Sequence, residues 1–444
     1  MKRIFIILFT AIGSPVAGVY AQQPFDLQTC LATGLENNYS IRISRNEEQI
    51  GKNNATWANA GALPVIDLTG SYNGAIDNTE TTVRATQDKL KDSGVFDQTF
   101  NVGLNLNWTI FDGFKITTTY RRLKELQRQG ETNTRIAIED FIASLTAEYY
   151  NYVRQTIRLK NFRYAVSLSK ERLRIVEARY SIGSFSRLDL QQARVDFNAD
   201  SSQYMKQQEL LHTSRIRLNE LMARRDLDME LHAADSIIVP NMLLSFDELW
   251  NATLLANAAL LKAEQSRTLA ALDLQTVNAR NYPYLKLNSG YGYTLNKYEI
   301  ATNRQRSNHG PHFGLTAGVN LFDGNRKRER ANANIAIENA RLARLQLEQS
   351  LQADMNNLWQ AYQNNSKILK LERENRVAAK ENHEIAMERY LLGDLSGIEM
   401  REAQKSLLDA EERILSAEYD TKLCEISLLQ ISGKVTMYLN NEPQ

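Results

Sequence analysis

The chain repeats itself once, and that duplication restricts its architecture more than any single motif does. Pro64-Val65-Ile66-Asp67-Leu68 returns as Pro283-Tyr284-Leu285-Lys286-Leu287, and Phe111-Asp112-Gly113 returns as Phe322-Asp323-Gly324. Arg179-Tyr180-Ser181-Ile182-Gly183 returns as Arg389-Tyr390-Leu391-Leu392-Gly393. The intervals agree within a residue: 68 positions separate Phe111 from Arg179, and 67 separate Phe322 from Arg389. Solenoid units run roughly 20–50 residues, so this period is too long for one. It predicts two similar structural repeats, 22–240 and 241–444, behind a signal peptide at 1–21.

The signal reads from Lys2 and Arg3, the apolar run 4–9 and a cleavage site at Val19-Tyr20-Ala21. No cysteine follows that site, so lipoprotein acylation is not expected. Removing Lys2 and Arg3 takes the formal net charge from +1 to −1, a balance that does not favour nucleic acid. With hydrophobic residues at 43%, the chain can form a core. Beyond the signal there is no apolar run of about 18 residues, which excludes a membrane helix and leaves a β-barrel open. Cys30 and Cys424 are either a disulfide formed on export or two buried thiols.

Each repeat carries two segments of period two. Phe100, Val102, Leu104, Leu106, Trp108 and Ile110 alternate with Asn101, Gly103, Asn105, Asn107 and Thr109. Phe313, Leu315, Ala317, Val319 and Leu321 repeat that pattern. Ile66, Leu68 and Tyr72 alternate with Asp67, Thr69 and Ser71, as Leu285, Leu287, Tyr291 and Tyr293 do with Lys286, Asn288 and Thr294. Such alternation suits a strand with lipid on one face and water on the other. The spacing predicts strands at 64–76, 98–111, 283–295 and 312–322, with the polar stretches 77–97 and 296–311 as exposed loops. In each Phe-Asp-Gly, the Asp is expected to cap a helix and the Gly to allow a tight turn.

Only seven prolines occur, none between Pro64 and Pro240 and none between Pro311 and Pro443. Proline-free stretches permit long helices. Apolar residues spaced near 3.5, such as Leu159, Phe162 and Val166, predict coiled-coil helices at 113–182 and 325–392. The first would span about 105 Å. Helices at 187–222 and 397–430 run back, and helices at 27–60 and 246–281 complete each repeat. Gly183 and Gly393 fit the left-handed position that ends a helix. Ser186-x-x-Asp189 and Ser396-x-x-Glu399 are capping boxes that begin the next.

On the duplicated strand–Phe-Asp-Gly–helix unit and the paired Arg-Tyr-x-x-Gly-x-x-Ser tips, the chain resembles TolC-type outer membrane factors. The resemblance implies a mixed α+β membrane protein with four transmembrane β-strands per chain. In a homotrimer these make a twelve-stranded barrel, continued by a long α-helical coiled-coil tube in the periplasm. Four strands cannot close a barrel alone, so some oligomer is physically required. It further implies an exit duct for efflux or type I secretion, in the outer membrane of a Gram-negative cell, with a periplasmic adaptor and an inner-membrane pump as partners. The adaptor-contacting positions would be Gly183, Ser186, Leu188, Gly393, Ser396 and Ile398. Glu399 and Glu402 match a constricting acidic pair, and Asp189 and Tyr390 a linking pair. Two departures stand out: the acids are Glu where Asp is expected, and Leu395 occupies the place of an expected Arg. A soluble coiled-coil adaptor or scaffold would explain the helices but leave the alternating strands without a role.

Enzymatic chemistry has little support. His309-x-x-His312 falls in an expected loop without a companion acid or cysteine, so neither a metal nor another cofactor is expected. Phosphate-binding glycine loops and Gly-x-Ser-x-Gly elbows are missing from the sequence.

Overall fold

The computed structural model describes residues 25–82, 89–300 and 304–439. The expected signal at 1–21 lies outside them. Four antiparallel strands, β1 (Val65–Thr82), β2 (Lys89–Asp112), β3 (Tyr284–Lys297) and β4 (Gln305–Gly318), form one sheet in that order. The register sorts the side chains by face. Leu68 pairs with Leu104 and Leu104 with Tyr291, while Trp108 pairs with Leu287 and Leu287 with Leu315. The opposite face is polar and bonded across strands. Asn105 donates to Thr69 (2.8 Å), Thr294 to Asn101 (2.7 Å) and Asn288 to Asn107 (2.7 Å). Every described residue of β1 is exposed, on both faces. Among the described residues, β1 and β4 each keep one unpaired edge.

The strands depart from the alternation in three places. The stretch 77–97 is mostly strand: β1 and β2 continue past a bulge between Asp77 and Thr79, and Glu80 pairs with Lys89 (3.1 Å) and Lys91 (3.2 Å). Beyond Ile76, β1 is polar on both faces, and the apolar Val95 and Phe96 of β2 are adjacent and so fall on opposite faces, which leaves no alternation to read. The stretch 296–311 likewise contains the ends of β3 and β4, which places His309 and His312 on a strand. At its other end β4 stops at Gly318, opposite Tyr284, the first residue of β3. Residues 319–322 have no partner there to continue the ladder, and Phe322 is 87% exposed.

The helices are α1 (Leu27–Asn37), α2 (Tyr39–Asn54), α3 (Lys115–Ser181), α4 (Arg187–Leu221), α5 (Phe246–Ala256), α6 (Ala258–Ala279), α7 (Gly324–Leu392) and α8 (Gly397–Ile431). The expected helices 27–60 and 246–281 are each broken by an asparagine. Asn38 accepts from the Ser40 and Ile41 amides, and Asn257 accepts from the Leu260 amide at 3.0 Å. Asparagine competes for the backbone and starts a new helix without any loss of apolar spacing. Gly130 does not break α3; a Cβ there would sit 3.6 Å from the Glu48 backbone, so the glycine permits close approach of α2.

The two Phe-Asp-Gly copies behave differently. Asp112 accepts from the Ile116 amide at 3.0 Å, and Gly113 takes φ +71° with Ala279 O only 2.3 Å from where a Cβ would lie. Asp323 accepts from the Asn325 amide at 3.0 Å, but Gly324 already opens α7 and needs no positive φ. The expected glycine turn holds only for the first copy.

Two compact units emerge, each drawing on both repeats. One contains residues up to Gly34, Leu145–Pro240 and Lys367–Lys422; the other contains Leu35–Ser144, Asn241–Ser366 and the residues from Leu423 on. In the first, small clusters such as Val176, Leu190 and Ala193, or Leu369, Ile414 and Ala417, hold the helices together. Among the described residues no helix is long and apolar enough to cross a membrane. Cys30 and Cys424 are both buried and form no disulfide with each other. Burial pushes the Cys30 thiol up to about 12, so it is inert.

Candidate functional site at the hairpin tips

Each tip is a turn between a long helix and a returning one. In the first, the Gly183 amide bonds to the Tyr180 carbonyl (3.0 Å) and the Ser184 amide to the Arg179 carbonyl (2.9 Å), with Gly183 at φ +79°. In the second, Gly393 (φ +90°) and Asp394 bond to the carbonyls of Tyr390 and Arg389 in the same way. This is the Schellman closure. Neither glycine would find an atom within 4 Å of an added Cβ, so the dihedral alone requires it.

The returning helices start with the two expected capping boxes. Asp189 Oδ2 accepts from the Ser186 amide (3.0 Å) and hydroxyl (2.7 Å), while Ser186 Oγ accepts from the Asp189 amide. Glu399 Oε2 accepts from the Ser396 amide (3.0 Å) and hydroxyl (2.7 Å), and Ser396 Oγ accepts from the Glu399 amide. The serine hydroxyl bonds hold both carboxyl groups below their ordinary values. Asp189 and Glu399 therefore do the same structural task in the two repeats.

Tyr390 ends α7 inside a cluster of Ala386, Met400 and Ala403, with Ile175, Met387 and Leu395 packed around it. It is only 1% exposed, its hydroxyl has no hydrogen-bond partner among the described residues, and burial pushes its pKa up. Asp189 and Tyr390 line one cavity of about 400 Å³ together with Arg172, Arg179, Asp196 and Asp394. They are brought together there without bonding, since the Asp189 carboxylate is committed to Ser186. Glu399 and Glu402 are both exposed on the first turns of α8. Leu188 and Ile398 are 77% exposed at the tips, and beside them Ile182 and Leu392 are 78% exposed.

Sequence reasoning passed over three arginines. Arg401 makes two bonds of 2.7 Å to Asp200, joining α8 to α4. Arg172 on α3 pairs with Asp196 on α4, both nearly buried. Arg179 lies 5.2 Å from the Phe185 ring and 5.7 Å from the Tyr390 ring, and donates to the Leu391 carbonyl at 3.3 Å. A signal did exist. Ala193, Asp200, Gln207 and Ser214 recur every seven residues along α4, and all are buried. A search for apolar heptads does not see a seam whose core positions are polar.

Comparison with known proteins agrees with this architecture. The model of the family described as outer membrane efflux protein matches residues 31–224 and again 249–434. The outer membrane protein TolC of Vibrio cholerae is 19% identical over 445 residues, covering 98% of this chain and 96% of the relative. The Campylobacter jejuni CmeC outer membrane channel superposes with a TM-score of 0.75 at 17% identity, over 92% of this chain and 85% of that one. The open state of the Neisseria gonorrhoeae MtrE outer membrane channel superposes at 0.72 with 16% identity, over 92% and 88%. The double match covers most of the chain, once per repeat: the protein belongs to the outer membrane efflux protein family, a family of channels and not of enzymes, and its place is the outer membrane of a Gram-negative cell.

Proposed function

We propose that three copies of this chain close a twelve-stranded barrel and that the helices of each copy build a tube in the periplasm, so that solutes leave the periplasm passively through one duct. The observation that carries this reading is the four-stranded sheet itself, apolar on one face, polar and cross-bonded on the other, and open at both edges. An apolar face in water is costly, and so are two rows of unpaired backbone groups. Lipid outside, a water-filled lumen inside and a neighbouring copy at each edge remove all three costs.

The tips are proposed as both gate and docking point. Gly183, Ser186 and Leu188, with Gly393, Ser396 and Ile398, form the adaptor-contact set, an inner-membrane pump standing behind the adaptor. Since Ser186 and Ser396 spend their side chains on the caps, the apolar contacts fall to Leu188 and Ile398 and to their exposed neighbours Ile182 and Leu392. The gate set is Asp189, Tyr390, Glu399 and Glu402, in which an acidic ring of Glu399 and Glu402 would attract cations. Purified protein is expected as detergent-stable trimers that conduct ions in planar bilayers. Monomers extracted without detergent, leaving a bilayer silent, would overturn the duct and favour a soluble scaffold.

A further inference from the structure

At the tips, one polar side chain of the first hairpin reaches across to the second. The Arg179 guanidinium stands between the Phe185 ring of its own turn and the Tyr390 ring of the other, and it also donates to the carbonyl of Leu391. The tie expected between Asp189 and Tyr390 is not made: Asp189 closes the capping box, and the Tyr390 hydroxyl has no hydrogen-bond partner among the described residues. Nor does position 395 supply a cation, for Leu395 packs apolar surface onto Tyr390 instead. From across the gap Tyr390 is held through its ring, by the Arg179 cation and by the apolar packing of Ile175.

We infer that Arg179 is the latch between the two hairpins of each copy, acting on the aromatic face of Tyr390 and the Leu391 carbonyl, and is thus a positioning residue for the gate proposed above, on which its gating role rests. A planar guanidinium suits this place, because it can stack on a ring and donate in its own plane at once. Asp189 lines the same cavity, and its Oδ1, which takes no part in the cap, offers the cation a partner within its own hairpin when it leaves the ring. Movement of one side chain could therefore part the hairpins without breaking either cap.

The test follows amide exchange over residues 180–184 and 390–395 of the detergent-solubilised protein, with bilayer conductance measured on the same samples. Arg179→Met is expected to speed tip exchange about tenfold and to raise conductance, the scale of losing one such contact. Arg179→Lys keeps a cation near the ring but loses the plane that stacks and donates, and is expected to fall between wild type and Arg179→Met in both readouts. Tyr390→Phe, which keeps the ring, is expected to match wild type. Unchanged exchange in Arg179→Met, equal loosening in Arg179→Lys, or loosening in Tyr390→Phe would each overturn the latch. Loosened tips with unchanged conductance would remove it from the gate. A wild type silent in bilayers would instead overturn the gate reading, while the exchange data would still decide whether Arg179 ties the tips together.

Discussion

Asp200 and Arg401 meet end-on, each carboxylate oxygen taking one hydrogen bond at 2.7 Å from Nη1 or Nη2 of the guanidinium, and so join the returning helices of the two repeats. Asp200 is buried, and the bond to its carboxylate holds the Arg401 pKa up. Removing one partner strands the other charge. Arg401→Met is expected to cost about 3–5 kcal/mol, whereas Asp200→Leu combined with Arg401→Met should recover most of that. Thermal unfolding in detergent of the two singles and the double reads the coupling; a double as weak as the sum of the singles would refute it.

The duplicated glycines separate dihedral from space. Gly113→Ala would place a methyl 2.3 Å from the Ala279 carbonyl at φ +71° and is expected to abolish folding. Gly183→Ala and Gly393→Ala meet open space and carry only the left-handed strain, about 1–2 kcal/mol. Gly324→Ala, at the start of a helix without positive φ, should be neutral or slightly stabilising. The yield of folded protein ranks the four.

The two faces of the sheet predict opposite tolerance. Leu104→Arg puts a charge on the apolar face, where lipid contact costs about 2–4 kcal/mol at mid-membrane. Asn107→Lys lies on the polar face beside Asn288 and should fold normally while shifting ion selectivity. Folding into vesicles with both variants equally impaired would contradict the assignment of faces.

The capping carboxylates make the tips sensitive to acid. Asp189 and Glu399 are both held below their ordinary values of 3.8 and 4.5 by serine bonds. A lowered folded-state pKa means that the cap contributes fully above the ordinary value and is lost as pH falls through the folded one. Exchange at the starts of α4 and α8 should therefore rise as pH falls below about 4, after correction for intrinsic rates. Asp189→Asn with Glu399→Gln should remove that dependence. Glu402→Ala alters charge without touching a cap, so any conductance change it causes reports on the acidic ring alone.

How far each feature could be read depended on what its residues had to signal. The long helices were legible because 3.5 spacing and missing proline say the same thing over many turns. The caps were legible because Ser186 acts with Asp189, and Ser396 with Glu399, each within a span of four residues. The hairpin beyond Ile76 was not, since its β1 half is polar throughout and the adjacent Val95 and Phe96 of β2 leave no period to detect. The breaks at Asn38 and Asn257 escaped because an asparagine cap leaves the apolar register undisturbed. Arg179, Arg172 and Arg401 escaped for a different reason: each finds its partner on another helix, and one sequence gives no measure of that separation. Asp189 and Tyr390, expected as a linking pair, line one cavity, where the nearer serine takes the Asp189 carboxylate.

The open edges of β1 and β4 bear on the life of the chain before it reaches its destination. A lone copy in transit carries two sticky borders and an oily surface, and nothing within the four strands can hide them. On the trimeric reading proposed above, only sister copies and lipid cover those surfaces, so slow assembly is expected to leave the chain open to aggregation.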